Sequence, residues 1–297
     1  MMREYLSRFF AEFDYDAADA SHLLAAYDKI TAHPEAKDLF FGAIATYDAD
    51  CDCDYNALTA QVKKAGRLTG VHNHTTDLLL YLCLTRKLRE RYAERGIDDA
   101  VWHDSVLDLK YKLEECKLVR GVCGTFVAFW MPGWFKMTRF ALGRLQFEIV
   151  DFGREYQKDG IVLGKESKVL NMHIPRSGQP LSKELCEDSF ARAKAFFADQ
   201  LPADQCPDGK VPFVCHSWLL YPRMNEFVSE RSNVRRFMEE FEILSWDDSD
   251  GESLWCLFDT AERNPDRLPT NTSLRRAFVE RLRSGGRVGW GYGILFR

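Results

Sequence analysis

No apolar run in this 297-residue chain is long enough to cross a bilayer, so no transmembrane helix is expected. There is no basic block either. The 40 Lys and Arg are scattered and stand against 45 Asp and Glu, for a net charge of −5, which leaves no electrostatic footprint for nucleic acid. The chain has no Walker A sequence, no H-E-x-x-H and no G-x-S-x-G, so the commonest signatures of nucleotide hydrolysis, zinc proteolysis and serine esterases are missing. It has no internal repeat and no low-complexity linker. The opening residues, MMREYLSRFFAEFDYD, mix Arg3, Glu4, Arg8 and Glu12 among apolar neighbours, as an amphipathic helix does and a signal peptide does not.

What is present is ordinary for a globular protein: 46% hydrophobic and 29% charged residues, in a length that suits two domains with a core each. Aromatic content of 13%, with 21 Phe and 7 Trp, implies a bulky core or an apolar pocket. The nine Cys are an odd number, and Cys83, Cys116, Cys123, Cys215 and Cys256 lie in separate apolar contexts. Free Cys behaves there as a small hydrophobe, so a reducing, cytoplasmic compartment is expected.

Residues 1–121 read as helix after helix. Tyr5, Phe9, Phe10 and Phe13 form the first apolar stripe, and Leu78, Leu79, Tyr81, Leu82, Leu84 and Leu88 the clearest one. The sixth helix is expected from about 98 to 120 in one piece. At Gly121–Gly124 the composition changes. Aromatic and β-branched runs follow at 126–130, 140–152, 169–174, 213–220, 254–258 and 288–296, with helices expected at 182–200, 233–244 and 272–283. The expectation is an α+β (mixed) chain, with an all-α domain over 1–121 and a mixed α/β domain over 122–297.

The segment 169–197 is the focus of the second domain. A short apolar strand breaks at Pro175, turns through 176–180, and restarts as a helix with Ser182 as N-cap. Unpartnered N–H groups and the helix dipole make such a junction an anion site, and Arg176 adds a fork suited to phosphate oxygens. The functional reading is a pyrophosphate cradle. The plain alternative is an ordinary β-to-α connection with a surface Arg.

Further candidates lie on strands. In 143–149, Arg144, Gln146 and Glu148 alternate with Leu145, Phe147 and Ile149, so the polar three share one strand face. That face is either a solvated edge or the lining of a cleft, and in the second case Glu148 is a candidate general base. His173 ends one strand and His216 lies in the next. Cys215 and His216 are neighbours, but adjacent strand residues point to opposite faces and cannot pair as nucleophile and base. Tyr221, just beyond, is a candidate proton donor to a leaving thiolate. Cys51-x-Cys53 with His72-x-His74 departs from zinc spacing, and His72–Thr76 reads better as the start of a helix, so no metal is expected. Gly289, Gly291 and Gly293 read as close backbone packing, since no helix follows them.

Six stretches carry a family resemblance: HTTDLLLYLCLTRKLRERY (74–92), TRFALGRLQFEI (138–149), NMHIPRSGQPLSKELCEDSFARAKAFF (171–197), VCHSWLLYP (214–222), SNVRRF (232–237) and LPTNTSLRRAF (268–278). Through them the chain resembles a bacterial family of acyltransferases with a helical N-terminal domain and a GNAT-like C-terminal domain. The resemblance implies a central twisted mixed sheet whose fourth and fifth strands, 169–174 and 213–220 here, splay apart. An acyl-thioester, acyl-CoA or acetyl-CoA or a carrier-protein thioester, would lie in that gap. Its pyrophosphate would rest on Arg176, Ser177, Gly178, Gln179, Leu181 and Ser182. The superfamily's loop pattern is partly met: one Gly stands early, and Pro180 lacks a donor N–H. A helix at 272–283 between the last two strands is a second departure from the family's usual loop. The implied reaction is direct attack of an amine, small-molecule or peptide, on the thioester, with Glu148 as base and His216 and His173 behind it. The alternative is a degenerate domain that binds a ligand or partner without catalysis.

Overall fold

The computed structural model describes residues 1–248 and 253–297. The chain divides into two compact units, Met1–Phe140 and Ala141–Arg297.

The first unit is helical: α1 Met2–Glu12, α2 Ala17–Ala32, α3 Pro34–Ala49, α4 Tyr55–Thr69, α5 Asn73–Glu94, α6 Asp99–Val106, α7 Asp108–Arg120 and α8 Pro132–Phe135. Side chains start several of them. Asp16, Asp54, His72 and Asp98 each accept a hydrogen bond from a first-turn N–H of α2, α4, α5 and α6, which satisfies donors the helix cannot. Helix α5 is the centre of this unit, with every residue from Thr75 to Thr85 buried. The expected sixth helix is in two pieces that meet at Leu107, where Lys110 N–H bonds Leu107 O in a tighter turn.

The helical unit continues past the compositional change at Gly121–Gly124. Thr125 N–H donates to His74 O, Thr75 Oγ1 to Cys123 O, and Tyr81 Oη to Ala128 O. A Cβ on Gly124 would stand 2.4 Å from the His74 carbonyl carbon, so the chain passes flat against the start of α5. The run 126–130, expected to be extended, is a loop ending in a 3₁₀ turn, because its carbonyls are taken by the α5 side rather than by a strand.

The second unit contains β1 Arg139–Leu142, whose last two residues open it, then β2 Leu145–Asp151, β3 Tyr156–Lys158, β4 Ile161–Leu163, β5 Lys168–His173, α9 Lys183–Phe196, β6 Pro212–Ser217, α10 Asn233–Glu239, β7 Glu242–Asp247, α11 Ser253–Phe258, α12 Ser273–Arg283 and β8 Trp290–Phe296. The main sheet has the order β1-β2-β5-β6-β8-β7, and β3 and β4 form a separate hairpin. β2–β5, β6–β8 and β7–β8 pair antiparallel, whereas β5 and β6 are parallel and joined through α9. The architecture is α+β, with a mixed sheet.

Three expectations change here. The helix expected at 233–244 stops at Glu239, and Glu242–Asp247 is β7, paired to β8 across a bulge. The run 254–258 is helical, not extended. Both stretches are short apolar runs that periodicity cannot assign, and tertiary pairing decides them. The strand expected at 213–220 ends at Ser217, whose Oγ accepts from Leu219 N–H and starts a 3₁₀ turn.

One face of the sheet is apolar and packs on α9. Phe147 of β2, Phe213 of β6 and Phe190 of α9 meet with ring centroids 4.9–6.3 Å apart. Each such ring is worth about 1.5–3 kcal/mol by burial. The other face is divided. Toward the hairpin, Phe152, Leu163, Val169, Val214 and Ile294 form a second core cluster. Toward the C-terminal ends of β5 and β6 it turns polar. Close backbone approach explains the late glycines: a Cβ on Gly291 would lie 2.0 Å from Leu220 O.

Candidate active site at the ends of the parallel strands

Strand alternation puts Gln146 and Glu148 of β2 on the same face as Asn171 and His173 of β5. The antiparallel register sets Glu148 opposite Asn171 and Gln146 opposite His173. Glu148 Oε1 therefore lies 2.7 Å from His173 Nε2 and accepts from Asn171 Nδ2 at 3.1 Å. The Glu148 and His173 side chains are 16% and 19% exposed, so both are half-screened from water yet reachable. With His173 Nε2–H donating to the carboxylate, the arrangement is a carboxylate-oriented imidazole, suited to passing a proton.

Beside this pair the β5–β6 register ends. β5 and β6 are paired at Leu170↔Phe213 and Asn171↔Val214, yet the strands run on to His173 and Ser217. His173 and His216 lie beyond the last pair, one on each strand. Open α/β sheets commonly bind ligands outside the carboxyl ends of their parallel strands.

His216 shares the polar face but has different company. Its exposed ring stacks at 5.4 Å on Trp290 and lies 6.4 Å from Tyr292, which also carries Arg154 on its face at 4.4 Å. Cys215 points the opposite way, is 1% exposed, and its thiol is pushed up to about 12 by burial. It is neither paired with His216 nor poised to ionise. Tyr221 is buried and donates its hydroxyl to Asp248 Oδ1. Burial first, and that bond second, push it up to about 12. A phenol that holds its proton so firmly is a poor donor near neutral pH.

The loop after β5 is held from below by Arg144. This residue sits in the turn before β2, not within the strand, and is 7% exposed. Its Nη1 donates to Pro175 O at 3.0 Å, and its Nε to Gln179 O at 3.2 Å and Pro180 O at 3.4 Å. Carbonyls drawn toward one guanidinium leave the other side of the loop for N–H groups. Gly178 has φ +74°, a left-handed conformation natural to glycine, and Ser177 Oγ accepts from Gln179 N–H at 3.4 Å. Leu181 leads into Ser182, which caps α9 through Leu185 N–H. Glu184 in the first turn is held below the usual carboxylate range by its own N–H and by Ser182, so this helix start favours negative charge.

Arg176 is engaged from another direction. Its Nη1 donates to Asp259 Oδ1, and Arg275 Nη2 donates to Asp259 Oδ2. Asp259 and Arg275 lie about 80 to 100 residues further on, and nothing in their local sequence points to the loop. Asn171 was not singled out from the sequence either, although a signal was present: it stands two residues before His173 on the same strand face.

For metal, Asp50, Cys51 and Asp52 bring ligand atoms within 4.8 Å of one another, an acidic cluster of a kind surfaces carry without an ion. His72 Nδ1 is used to cap α5.

A mixed sheet whose one parallel pair, β5–β6, is joined through a helix is the architecture of a GNAT-like domain. The chain belongs to the family with a GNAT-like C-terminal domain, which matches residues 140–295, and an N-acyltransferase N-terminal domain matches residues 4–137. Similar solved structures include an acyltransferase in complex with decanoyl-CoA and teicoplanin, 22% identical, with a TM-score of 0.72 over 98% of this chain and 87% of that one. An acyltransferase mutant in complex with octanoyl-CoA gives a TM-score of 0.73 at 22% identity, over 98% and 87%. An acyltransferase in complex with decanoyl-CoA gives 0.73 at 23%, over 97% and 86%. No curated protein matches the sequence. Among the described residues no helix is long and apolar enough to cross a membrane.

Proposed function

We propose that the protein transfers an acyl group from acyl-CoA to an amine of a small molecule or peptide, by direct attack. The observation that carries this reading is the end of β5–β6 pairing after Asn171↔Val214, with Glu148 and His173 in contact at that edge. The thioester lies in the opening, and its pyrophosphate rests on the loop N–H groups from Ser177 to Ser182. Arg144 supports that loop from behind. Arg176, shared with Asp259, is the cation beside it. The residues fit a diphosphate at the glycine and the helix start, and less well at Pro180, which has no N–H.

In the reaction the amine nitrogen attacks the thioester carbonyl carbon. Glu148 and His173 together take the proton the ammonium must lose. Backbone N–H groups in the opening hold the oxyanion. The C–S bond then breaks, and the leaving thiolate takes up the second proton, which the attacking nitrogen gives up as it becomes the amide. Alignment of the two substrates supplies much of the acceleration, and the base contributes typically 10²–10⁴-fold. No covalent enzyme intermediate is formed, so buried Cys215 has no part. His216, stacked on Trp290, lines the far side of the opening and orients the donor. We place the protein in a reducing, cytoplasmic compartment, since none of its nine cysteines is bridged.

The test is calorimetric titration with acetyl-, octanoyl- and decanoyl-CoA, on the native chain and on Arg144→Met. Saturable thioester binding that weakens about tenfold or more in the variant is expected. No binding of any thioester overturns the reading. Tight binding with no turnover across a panel of amines converts the domain to a ligand-binding module.

A further inference from the structure

The helical unit has a cleft of about 650 Å³ between the starts of α4 and α5 and the segment that carries α8, a volume in the range of small-molecule sites. Its floor includes Asp77, whose side chain is 3% exposed. Asp77 Oδ2 meets Lys63 Nζ at 3.2 Å, whereas buried Oδ1 has no hydrogen-bond partner. An ionised carboxylate accepts at both oxygens, and a buried one with an unused oxygen carries a desolvation cost that a donor would relieve.

The walls are aromatic. Tyr55 and Tyr81 stack nearly parallel, with centroids 6.4 Å apart. Their hydroxyls are already donated, to Cys51 O and Ala128 O, so the rings offer apolar faces. At the rim Phe129 is 77% exposed, an outlay of apolar surface that a monomer rarely makes without use. Lys63 is one-third exposed on a flexible stem and can swing toward water while keeping its charge solvated.

We propose that this cleft is a binding site for a primary ammonium carried on an aromatic body, with the Asp77 carboxylate as its counter-charge where Lys63 swings away and Phe129 closing over the ring. The ammonium takes the place of Lys63 Nζ at the carboxylate and brings donors to a group that is short of them, and the ring covers Tyr55 and Phe129, where stacking and cation–π contact add to burial. This site shares no residue with the thioester opening.

The experiment is equilibrium titration of the full chain, without thioester, with 2-phenylethylamine. 3-Phenylpropionate and 2-phenylethanol serve as anionic and neutral isosteres. Expected are saturable binding of the amine, at least tenfold weaker binding of both isosteres, a loss of tenfold or more in Asp77→Asn, and a loss of a few fold in Phe129→Ser. Should Asp77→Asn fail to fold, Lys63→Met reads the same contact, because removing the resident cation should tighten the amine several-fold. The proposal is overturned if the amine does not bind at millimolar concentration, if 2-phenylethanol binds as well, or if neither variant at Asp77 nor at Lys63 moves the affinity. Decanoyl-CoA titrated into the same variants should bind as in the native chain, so failure here is separable from failure of the acyl-transfer reading.

Discussion

Each unit half-hides a carboxylate, and the two are served differently. Glu148 sits in a β ladder, where the residue opposite, Asn171, and the next on the same face, His173, both reach Oε1. Asp77 sits on a central helix, meets Lys63 at one oxygen, and has the other buried with no partner. A strand delivers polar neighbours by its own period of two, so a carboxylate there comes with a built-in proton relay. A helix face delivers neighbours only from whatever packs on it, so a carboxylate there can be left short. The first arrangement suits a base and the second a receptor for a cation.

The largest effect expected of breaking this contrast is on chemistry. Glu148→Gln keeps the shape and removes the charge, and should lower kcat/KM by about 10²–10⁴-fold. His173→Gln added to it should cost little more, because residues that act as one base are not additive. Rates of single and double variants under single turnover read this directly, and full additivity would divide the pair.

Next comes the stability of the helical unit. Burial lifts the Asp77 pKa from 3.8 to about 6, with Lys63 opposing. The folded form thus keeps a proton that the unfolded chain has already released. The contribution of Asp77 to stability is most favourable below about pH 4, falls as pH rises through about 6, and stays reduced above it, by on the order of 3 kcal/mol. Asp77→Asn should flatten that slope and raise the melting temperature at pH 7.5 but not at pH 4. A slope unchanged in the variant would mean the burial is relieved in some other way.

Smaller still, Asn171→Leu should lower turnover about tenfold, by taking one donor from Glu148 and loosening its contact with His173. An accompanying shift in the pH–rate profile separates this from a simple packing change. Smallest is Tyr221→Phe, expected to leave turnover within about twofold and to cost about 1 kcal/mol of stability through the lost bond to Asp248. A large fall in rate would restore Tyr221 as a proton donor.

The helical stripes could be read from the chain alone, because apolar residues at 3.6-residue spacing bury on one face whatever surrounds them. So could it be read that Glu148 faces with Gln146, that Cys215 turns away from His216, and that Ser182 starts a helix, since each follows from local geometry. Only the tertiary structure decided that β7 is a strand and 254–258 a helix, because short apolar runs take the form their neighbours allow. It alone set Arg144 beneath the loop, joined Arg176 to Asp259 and Arg275, brought 122–140 back onto α5, and left one oxygen of Asp77 without a donor. Those contacts join residues from far-separated parts of the chain, and a linear pattern holds no record of which distant groups will meet.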